Sequence, residues 1–339
     1  MTSFGTILKR VAAGEILDAE TAAEAFHAIL KGEAGDVQMG AFLAAIAVRK
    51  PAVDEVVGAV TAMRAAMTRV KAPADAMDLV GTGGDGLSTL NISSAASFVV
   101  AAAGVNVAKH GNRNMTSRSG AADVLEALGV KVEVTPEAAT ICIEETGLCF
   151  LFAQGFHPAM RYVTPVRRAL GFRTIFNLIG PLSNPAGAKR QLLGVYARDL
   201  LEPVAKVLAA HGAEKAFVVH GAEGLDEISI SGETYVTALE NGETRSFVIV
   251  PEDAGLPRWP IEAVKGGDAP ENAAALTRLL NGEKGAYRDI VLLNSAAALM
   301  VADKAGDLRE GVDIAAKMID SGAAKAVLQK LITVSNGCP

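Results

Sequence analysis

One stretch of this chain limits the folds open to it. Asp78-Leu79-Val80 runs into Gly81-Thr82-Gly83-Gly84-Asp85-Gly86, an apolar segment covers Ile92 to Ala103, and Val105-Asn106-Val107-Ala108 follows. A short apolar run, a glycine-rich turn, a helix-length apolar segment and a second apolar run make the strand, loop, helix, strand rhythm of a βαβ unit. Further runs of strand character are Phe150–Phe152, Leu192–Tyr196, Ala216–His220, Ile228–Ile230 and Phe247–Val250. The expected fold is therefore α/β, with a central mixed, mainly parallel sheet flanked by helices. Half of the residues are apolar but only 5% are aromatic, which favours closely packed helices and tight turns over an aromatic-rich β-sandwich.

Ahead of this unit the periodicity is helical throughout. Phe4, Ile7, Leu8 and Val11 form one stripe, and Ala23, Phe26, Ile29 and Leu30 form another, entered through Asp18 and ended at Gly32. A third helix starts behind Asp36 and stops before Pro51, because proline disfavours helix in the residue ahead of it. A fourth runs from about Val53 to Met67. The expectation is a helical domain over 1–70 and an α/β domain over 71–339. Helix returns after Pro270, most clearly at Ala273–Leu280 and Asp289–Ala302. The stretch 162–185, with three prolines and three arginines, is expected to cross back onto the helical domain and to place residues at the cleft between the two.

A length of 339 residues fits two domains, so burial of a core is not limiting. The net charge of −6 gives a whole-protein field that repels a nucleic-acid backbone or an anionic membrane, so any anion site must be local. No stretch approaches the ~20 apolar residues of a membrane span, and the N-terminus lacks the apolar core of an export signal. Three cysteines, Cys142, Cys149 and Cys338, have no zinc-ligand spacing and an odd number, which fits reduced thiols and a cytoplasmic location.

Four segments carry chemistry. The loop Gly81–Gly86 can bring backbone N–H groups to phosphate oxygens while the following helix adds its partial positive N-terminus. No Gly-Lys-Ser/Thr follows it and the dinucleotide spacing is missing, so it is neither a Walker loop nor a Rossmann fingerprint. A tight surface turn is the competing reading, weakened by the polar run Asp85, Ser88, Thr89, Asn91, Ser93. Lys109-His110-Gly111-Asn112-Arg113-Asn114-Met115-Thr116-Ser117 suits a second wall of the same anion site, against a solvated charged loop. Asp226-Glu227 offers hard oxygen ligands for Mg²⁺, although an acidic pair alone is usually a solvated turn. His157-Pro158-Ala159-Met160-Arg161 and Pro165-Val166-Arg167-Arg168 supply arginines for a planar carboxylate, or for capping helices at the domain interface. The histidines show no metal spacing, and His27 and His211 read as packing residues.

Taken in order, Gly81-Thr82-Gly83-Gly84-Asp85, Asn91-Ile92-Ser93, Lys109-His110-Gly111-Asn112-Arg113, His157-Pro158-Ala159-Met160 and Arg173-Thr174-Ile175-Phe176-Asn177 through Gly180-Pro181-Leu182 resemble the anthranilate phosphoribosyltransferases over nearly the whole chain. The resemblance implies a fold of the nucleoside phosphorylase and phosphoribosyltransferase kind, and a homodimer formed through the helical domain. It also implies transfer of phosphoribose from 5-phosphoribosyl 1-pyrophosphate (PRPP) to anthranilate in tryptophan biosynthesis. By matching motif, the PRPP site comprises Gly81, Gly84, Asp85, Thr89, Asn91, Ile92, Ser93, Ser94, Lys109, His110, Gly111, Asn112, Arg113, Asn114, Met115, Thr116, Ser117 and Ala121. Gly81, Asn112, Arg167, His110, His157 and Pro181 would meet anthranilate, while Ser93, Asp226 and Glu227 would hold two Mg²⁺ ions. No residue is assigned as an acid or base.

Two departures stand out. Ala121, in Ser119-Gly120-Ala121-Ala122-Asp123, replaces a serine common in the family and removes a side-chain hydrogen bond, and Thr116 keeps a hydroxyl where serine is frequent. A pyrimidine nucleoside phosphorylase is the nearest rival, opposed by the His157 and Arg167 segments. A non-catalytic nucleic-acid binder of the same fold is opposed by the net charge and by the retained acceptor residues.

Overall fold

The computed structural model describes residues 3–113 and 119–338. The chain opens with four helices, α1 (Phe4–Ala12), α2 (Ala19–Leu30), α3 (Asp36–Arg49) and α4 (Val53–Ala66). Asp18 caps α2 by accepting the Thr21 N–H at 2.7 Å, and Gly32, at φ +76°, ends that helical segment. Helices α2 and α4 cross so closely that a Cβ on Gly58 would lie 2.4 Å from the Ala19 carbonyl oxygen and 2.6 Å from Ala22 Cβ.

The α/β part follows as β1 (Met77–Gly81), α5 (Ile92–Ala102), β2 (Val107–Gly111), α6 (Ala121–Ala127), α7 (Pro136–Thr146), β3 (Leu148–Phe152) and α8 (Ala153–Phe156). Next come α9 (Thr164–Leu170), α10 (Phe176–Ile179), β4 (Arg190–Gly194), α11 (Leu201–Ala210), β5 (Lys215–Gly221), and the hairpin β6 (Thr234–Glu240) and β7 (Glu243–Ile249). Four helices close the chain, α12 (Ala269–Leu280), α13 (Ala286–Val301), α14 (Leu308–Asp320) and α15 (Ala323–Gly337). Among the described residues, no helix is long and apolar enough to cross a membrane.

The strands form one seven-stranded sheet in the order β3-β2-β1-β4-β5-β6-β7. Pairings from β3 through β5 are parallel, and the β6–β7 hairpin is antiparallel. The expected mixed, mainly parallel sheet is therefore present. Chain order reverses between β1 and β4, and the crevice at the carboxyl ends of such a strand pair is where open α/β sheets bind ligands.

Each face of the sheet has its own core. Because side chains alternate along a strand, Phe217 and Val219 of β5 pack among the C-terminal helices, whereas Ala216 and Val218 pack with α11 and the N-terminal helices. The same division separates Leu192 from Leu193 and Leu79 from Val80. Val163, Val166, Ile175 and Phe176, from the proline- and arginine-rich stretch, belong to the core of the N-terminal helices. Phe26 joins the two, meeting Phe42 edge-on at 5.6 Å and Phe176 at 5.8 Å.

Two strand expectations need correction. Ile228–Ile230 is not a strand: the buried amide of Asn294 on α13 receives the Ile228 N–H and donates to the Ile228 carbonyl, both at 2.9 Å, as a neighbouring strand would. The strand expected at Val105–Ala108 runs instead over Val107–Gly111, so Lys109 and His110 are strand residues rather than loop residues.

Candidate active site

The glycine-rich loop leaves β1 at the reversal of strand order, and a distant carboxylate lies across it. Gly81 and Gly194 pair in register at the ends of β1 and β4. A Cβ on Gly194 would lie 1.6 Å from the Asp226 carbonyl oxygen, and one on Gly81 would lie 2.3 Å from Asp226 Oδ2. Both glycines are thus required by the close passage of Asp226 over the sheet end. The same Oδ2 accepts the Gly83 N–H at 2.6 Å, fastening the loop to a residue 143 positions away. Asp85 Oδ1 accepts the Leu87 N–H at 3.1 Å, and the Gly84 carbonyl receives Arg173, whose guanidinium lies 4.3 Å from the Tyr196 ring centroid.

Glu227 Oε1 accepts the Ser93 N–H, in the first turn of α5, at 3.1 Å. The buried Lys109 ammonium donates to the Leu79 carbonyl at 2.6 Å and to Ser93 Oγ at 3.2 Å. Burial and the charges of Asp85 and Glu227 push the Asp226 carboxyl well above the usual range. Burial likewise raises Glu227 to about 7 against the pull of Lys109, while burial lowers Lys109 itself. One ammonium thus faces three carboxylates, an excess of negative charge in a desolvated place. No group of three or more His, Cys, Asp or Glu among the described residues forms a preformed metal cage. One buried and one half-buried carboxylate with a hydroxyl instead fit a hard cation that keeps waters and shares ligand oxygens.

C-terminal helices support this wall from behind. Asn91 Oδ1 accepts from Asn272 at 3.0 Å, and the buried Tyr287 hydroxyl donates to the Asn91 carbonyl at 3.1 Å. Thr89 pairs with Lys265 in an isolated bridge. Ile92 is 1% exposed in the core, so only its backbone can face a ligand, and Ser94 is buried beside it.

Opposite stands a second group. His110, the β2 residue after Lys109, places Nε2 3.2 Å from Nε2 of His157, both rings buried. Burial holds His157 down at about 4, and burial together with the neighbouring His157 holds His110 well below its usual value. Both imidazoles are therefore neutral at pH 7. Beneath them the buried Asp78 accepts the His110 N–H at 3.0 Å and the Asn184 side-chain amide at 2.7 Å. That amide also donates to the Ala108 carbonyl at 2.8 Å, tying the Gly180–Asn184 loop to β2. Burial, opposed by Lys109, raises Asp78 to about 6.

The donor-like cradle, the carboxylate pair and the neutral histidine chamber can be set against known proteins. The model of a glycosyl transferase family, helical bundle domain, matches residues 6–67, and that of a glycosyl transferase family, a/b domain, matches 73–325. An anthranilate phosphoribosyltransferase of Rhodopseudomonas palustris is 57% identical over 335 residues, 99% of each chain. Another, from Bradyrhizobium diazoefficiens, is 55% identical over 337 residues, covering 99% of this chain and 100% of its own. The chain belongs to the anthranilate phosphoribosyltransferase family. The family's solved structures share the fold: the enzyme of Thermus thermophilus has a TM-score of 0.93 at 44% identity over 97% of this chain and 99% of its own. That of Saccharomyces cerevisiae in complex with PRPP and Mg has a TM-score of 0.91 at 28% identity, covering 98% of each.

Not every residue expected at the phosphoribosyltransferase site converges there. Gly81, Gly84, Asp85, Ser93, Lys109, Asp226 and Glu227 gather around the loop, and His110 and His157 form a second group against the backbone of Gly180 and Ser183, the neighbours of Pro181 and Leu182. Gly111 abuts Phe150 and Ala121, where an added Cβ would lie 2.7 Å from the Phe150 ring and 3.4 Å from Ala121 Cβ. Asn112 is exposed, with Oδ1 accepting the Arg113 N–H at 2.8 Å. Arg113, expected to close over phosphates, is instead turned onto carboxylates, reaching Glu126 Oε1 at 2.6 Å and Asp123 at 3.3 Å, above the Phe152 ring. Arg167 lies 5.9 Å from the Phe176 ring centroid, its pKa lowered by burial, and no carboxylate pairs with it among the described residues. Asn114, Met115, Thr116 and Ser117 lie outside the described residues.

Asp78, Asn184 and Arg173 were missed by sequence reasoning as supports of the site. Asp78 is the second residue of the strand that carries the glycine loop, and an acidic residue inside an apolar strand is a signal that could have found it.

Proposed function

We infer that this chain transfers the 5-phosphoribosyl group of PRPP to the amine of anthranilate, giving N-(5-phosphoribosyl)anthranilate and pyrophosphate, in tryptophan biosynthesis. The observation that carries this reading is Asp226 locked across the Gly81–Gly194 sheet end, beside Glu227, Ser93 and Lys109 and next to an uncharged histidine chamber. In the reaction the bond from ribose C1 to the pyrophosphate oxygen breaks, a bond from C1 to nitrogen forms, and the nitrogen loses a proton. An aniline-type amine is largely unprotonated at neutral pH, so departure of the leaving group is the harder half.

With the Gly83 and Ser93 N–H groups taken by Asp226 and Glu227, the other amides of the glycine loop and the dipole of α5 would meet phosphoryl oxygens. Lys109, held by Ser93 and Leu79, adds a fixed positive charge. Ser93, Asp226 and Glu227 would hold Mg²⁺, as two ions, which supplies charge stabilisation for departing pyrophosphate. His110, His157 and Pro181 line the acceptor side, and neutral imidazoles leave a neutral amine its lone pair. Arg167 is assigned to the anthranilate carboxylate, supported by its buried guanidinium without a carboxylate partner. Positioning and electrostatics then account for catalysis, with no residue serving as general base.

A homodimer through the N-terminal helices is proposed from the exposed apolar stripe of α3, where Val37 is 87% and Val48 is 89% exposed with Ala41 between them. Three buried thiols, Cys142, Cys149 and Cys338, support action in the reducing cytoplasm. The decisive experiment follows loss of anthranilate fluorescence with PRPP, with and without Mg²⁺. Magnesium-dependent loss is expected, and phosphorolysis of thymidine without it would establish the nucleoside phosphorylase reading instead.

A further inference from the structure

One side chain of the N-terminal helices holds the loop that carries the acceptor wall. Arg64, in the last turn of α4, donates from Nε and Nη2 to the Leu182 carbonyl at 2.9 and 2.8 Å, and from Nη1 to the His211 carbonyl at 3.4 Å. Among the described residues no carboxylate pairs with it. Burial and the charge of Arg69 lower its pKa. A half-buried guanidinium without a counter-ion gives up part of its hydration, a cost that an apolar side chain of similar length would not bear. At the end of a helix an arginine can satisfy that helix's own carbonyls, yet this one is committed to a segment far along the chain.

The segment it grips is the back of the acceptor chamber. Ser183 donates its N–H to the Gly180 carbonyl at 3.0 Å, and Asn184 is tied to Asp78 and Ala108 at 2.7 and 2.8 Å, so Gly180–Asn184 moves as one piece with the strand bearing His110. The linker after α4 continues the attachment. Thr68 donates its N–H to the carbonyl of Phe156, the neighbour of His157, at 2.8 Å, and Val70 donates to the Pro185 carbonyl at 3.1 Å. Arg64, Thr68 and Val70 thus grip both sides of the chamber from one end of α4. Two of these attachments are backbone and survive substitution, whereas that of Arg64 depends on its side chain.

We propose that Arg64 is a positioning residue for the acceptor: by holding the Leu182 carbonyl it sets Pro181 against the His110–His157 pair without touching either substrate. This rests on the acceptor assignment made above. The donor cradle shares β2 with this loop but is fastened in addition through Asp226, Glu227 and the Lys109 contacts to Leu79 and Ser93, so release of Leu182 acts first on the acceptor.

The test is steady-state kinetics of Arg64→Gln, Arg64→Lys and Arg64→Ala with anthranilate and PRPP varied in turn. Loss of two charge-assisted hydrogen bonds to a loop is expected to raise the anthranilate KM about tenfold in Arg64→Gln and Arg64→Ala, with the PRPP KM within about twofold of wild type. Arg64→Lys keeps one donor and should fall between. Added guanidinium ion, below denaturing concentration, should restore the anthranilate KM of Arg64→Ala. A control, Ile7→Ala on α1, lowers stability by truncating the core of the N-terminal helices without removing any hydrogen bond to the Leu182 loop, and should leave both KM values in place. Equal changes in the two KM values, no change in either, or the same selective change in Ile7→Ala would overturn the proposal. Wild-type protein that fails to consume anthranilate with PRPP would instead overturn the functional reading and this inference with it. Normal wild-type turnover with an unshifted KM ratio in the variants defeats the inference alone.

Discussion

The two walls of the site are built by different means. On the proposed donor side, the glycine loop and Lys109 belong to β1 and β2 or continue them, with the start of α5 beside them, and Asp226, Glu227 and Lys109 fasten that backbone in place. On the proposed acceptor side, His157, Pro181 and Arg167 come from short helices and turns between β3 and β4, fixed by side chains such as Asn184, Phe26 and Arg64. A wall seated on the end of the sheet is hard to move, which suits the proposed phosphoribosyl-donor cradle. A wall made of side chains borrowed from the N-terminal helices can be reshaped, and that is where acceptor specificity belongs.

The sharpest way to break this division is to remove the acidic pair. Asp226→Asn with Glu227→Gln is expected to lower kcat/KM for PRPP about 10³-fold, a loss of ~4 kcal/mol, and to flatten the magnesium dependence. A magnesium titration of the fluorescence assay checks it, and an unchanged curve would remove both residues from the metal site.

The acceptor wall should show itself in the pH dependence of stability. The folded pKa of His157 is depressed to about 4 from an unfolded value near 6.5. Its contribution is thus complete above about pH 6.5 and disappears as pH falls toward 4, a difference of about 3 kcal/mol. Asp78, raised to about 6, changes in the opposite sense over much of that window, because its contribution is complete below about pH 3.8 and is lost as pH rises through 6. The whole-protein curve therefore hides the histidine. Urea unfolding of wild type and His157→Gln at pH 7 and pH 4.5 isolates it: the gap between the two proteins should change by most of that amount. A constant gap would mean that His157 is not buried as a neutral ring.

Gly194→Ala tests the donor wall with a single methyl. Its Cβ would fall on the Asp226 carbonyl, so the segment must shift, at a cost of about 1–3 kcal/mol. The PRPP KM should rise about 30-fold with the anthranilate KM little changed. Isothermal titration with each substrate decides whether the effect is confined to the donor. Smallest is Arg167→Ala, expected to raise the anthranilate KM about tenfold and leave that of PRPP in place. Equal rises in both would count against carboxylate recognition.

Legibility in the sequence followed the range of the interactions involved. The four N-terminal helices were readable because each carries its own stripe and stop: Gly32 ends the α2 segment, and α3 finishes at Arg49 ahead of Pro51. The glycine loop was readable because apolar strand, glycines and helix are contiguous. The strand at Ile228–Ile230 was misread because its apolar residues are buried by tertiary packing, with Asn294 supplying the hydrogen bonds of a missing neighbour. Lys109 and His110 were read as loop residues because charge and an imidazole suggested solvent, whereas β2 buries both. The ion pairs of Arg113 with Asp123 and Glu126 on α6 are contacts that a linear pattern does not display.

By itself the sequence determined the α/β class, the family and the place of the glycine-rich loop between strand and helix, since these depend on local patterns that survive in one dimension. Only the tertiary structure decided that Asp226 would lie over Gly81 and Gly194, that His110 and His157 would share a buried chamber, and that Arg64 would hold its rear loop. Those are contacts between residues far apart in the chain, selected by strand order and by which helices cover which face of the sheet. A linear pattern carries the type of each group, but the distance between two groups exists only after the sheet has closed around them.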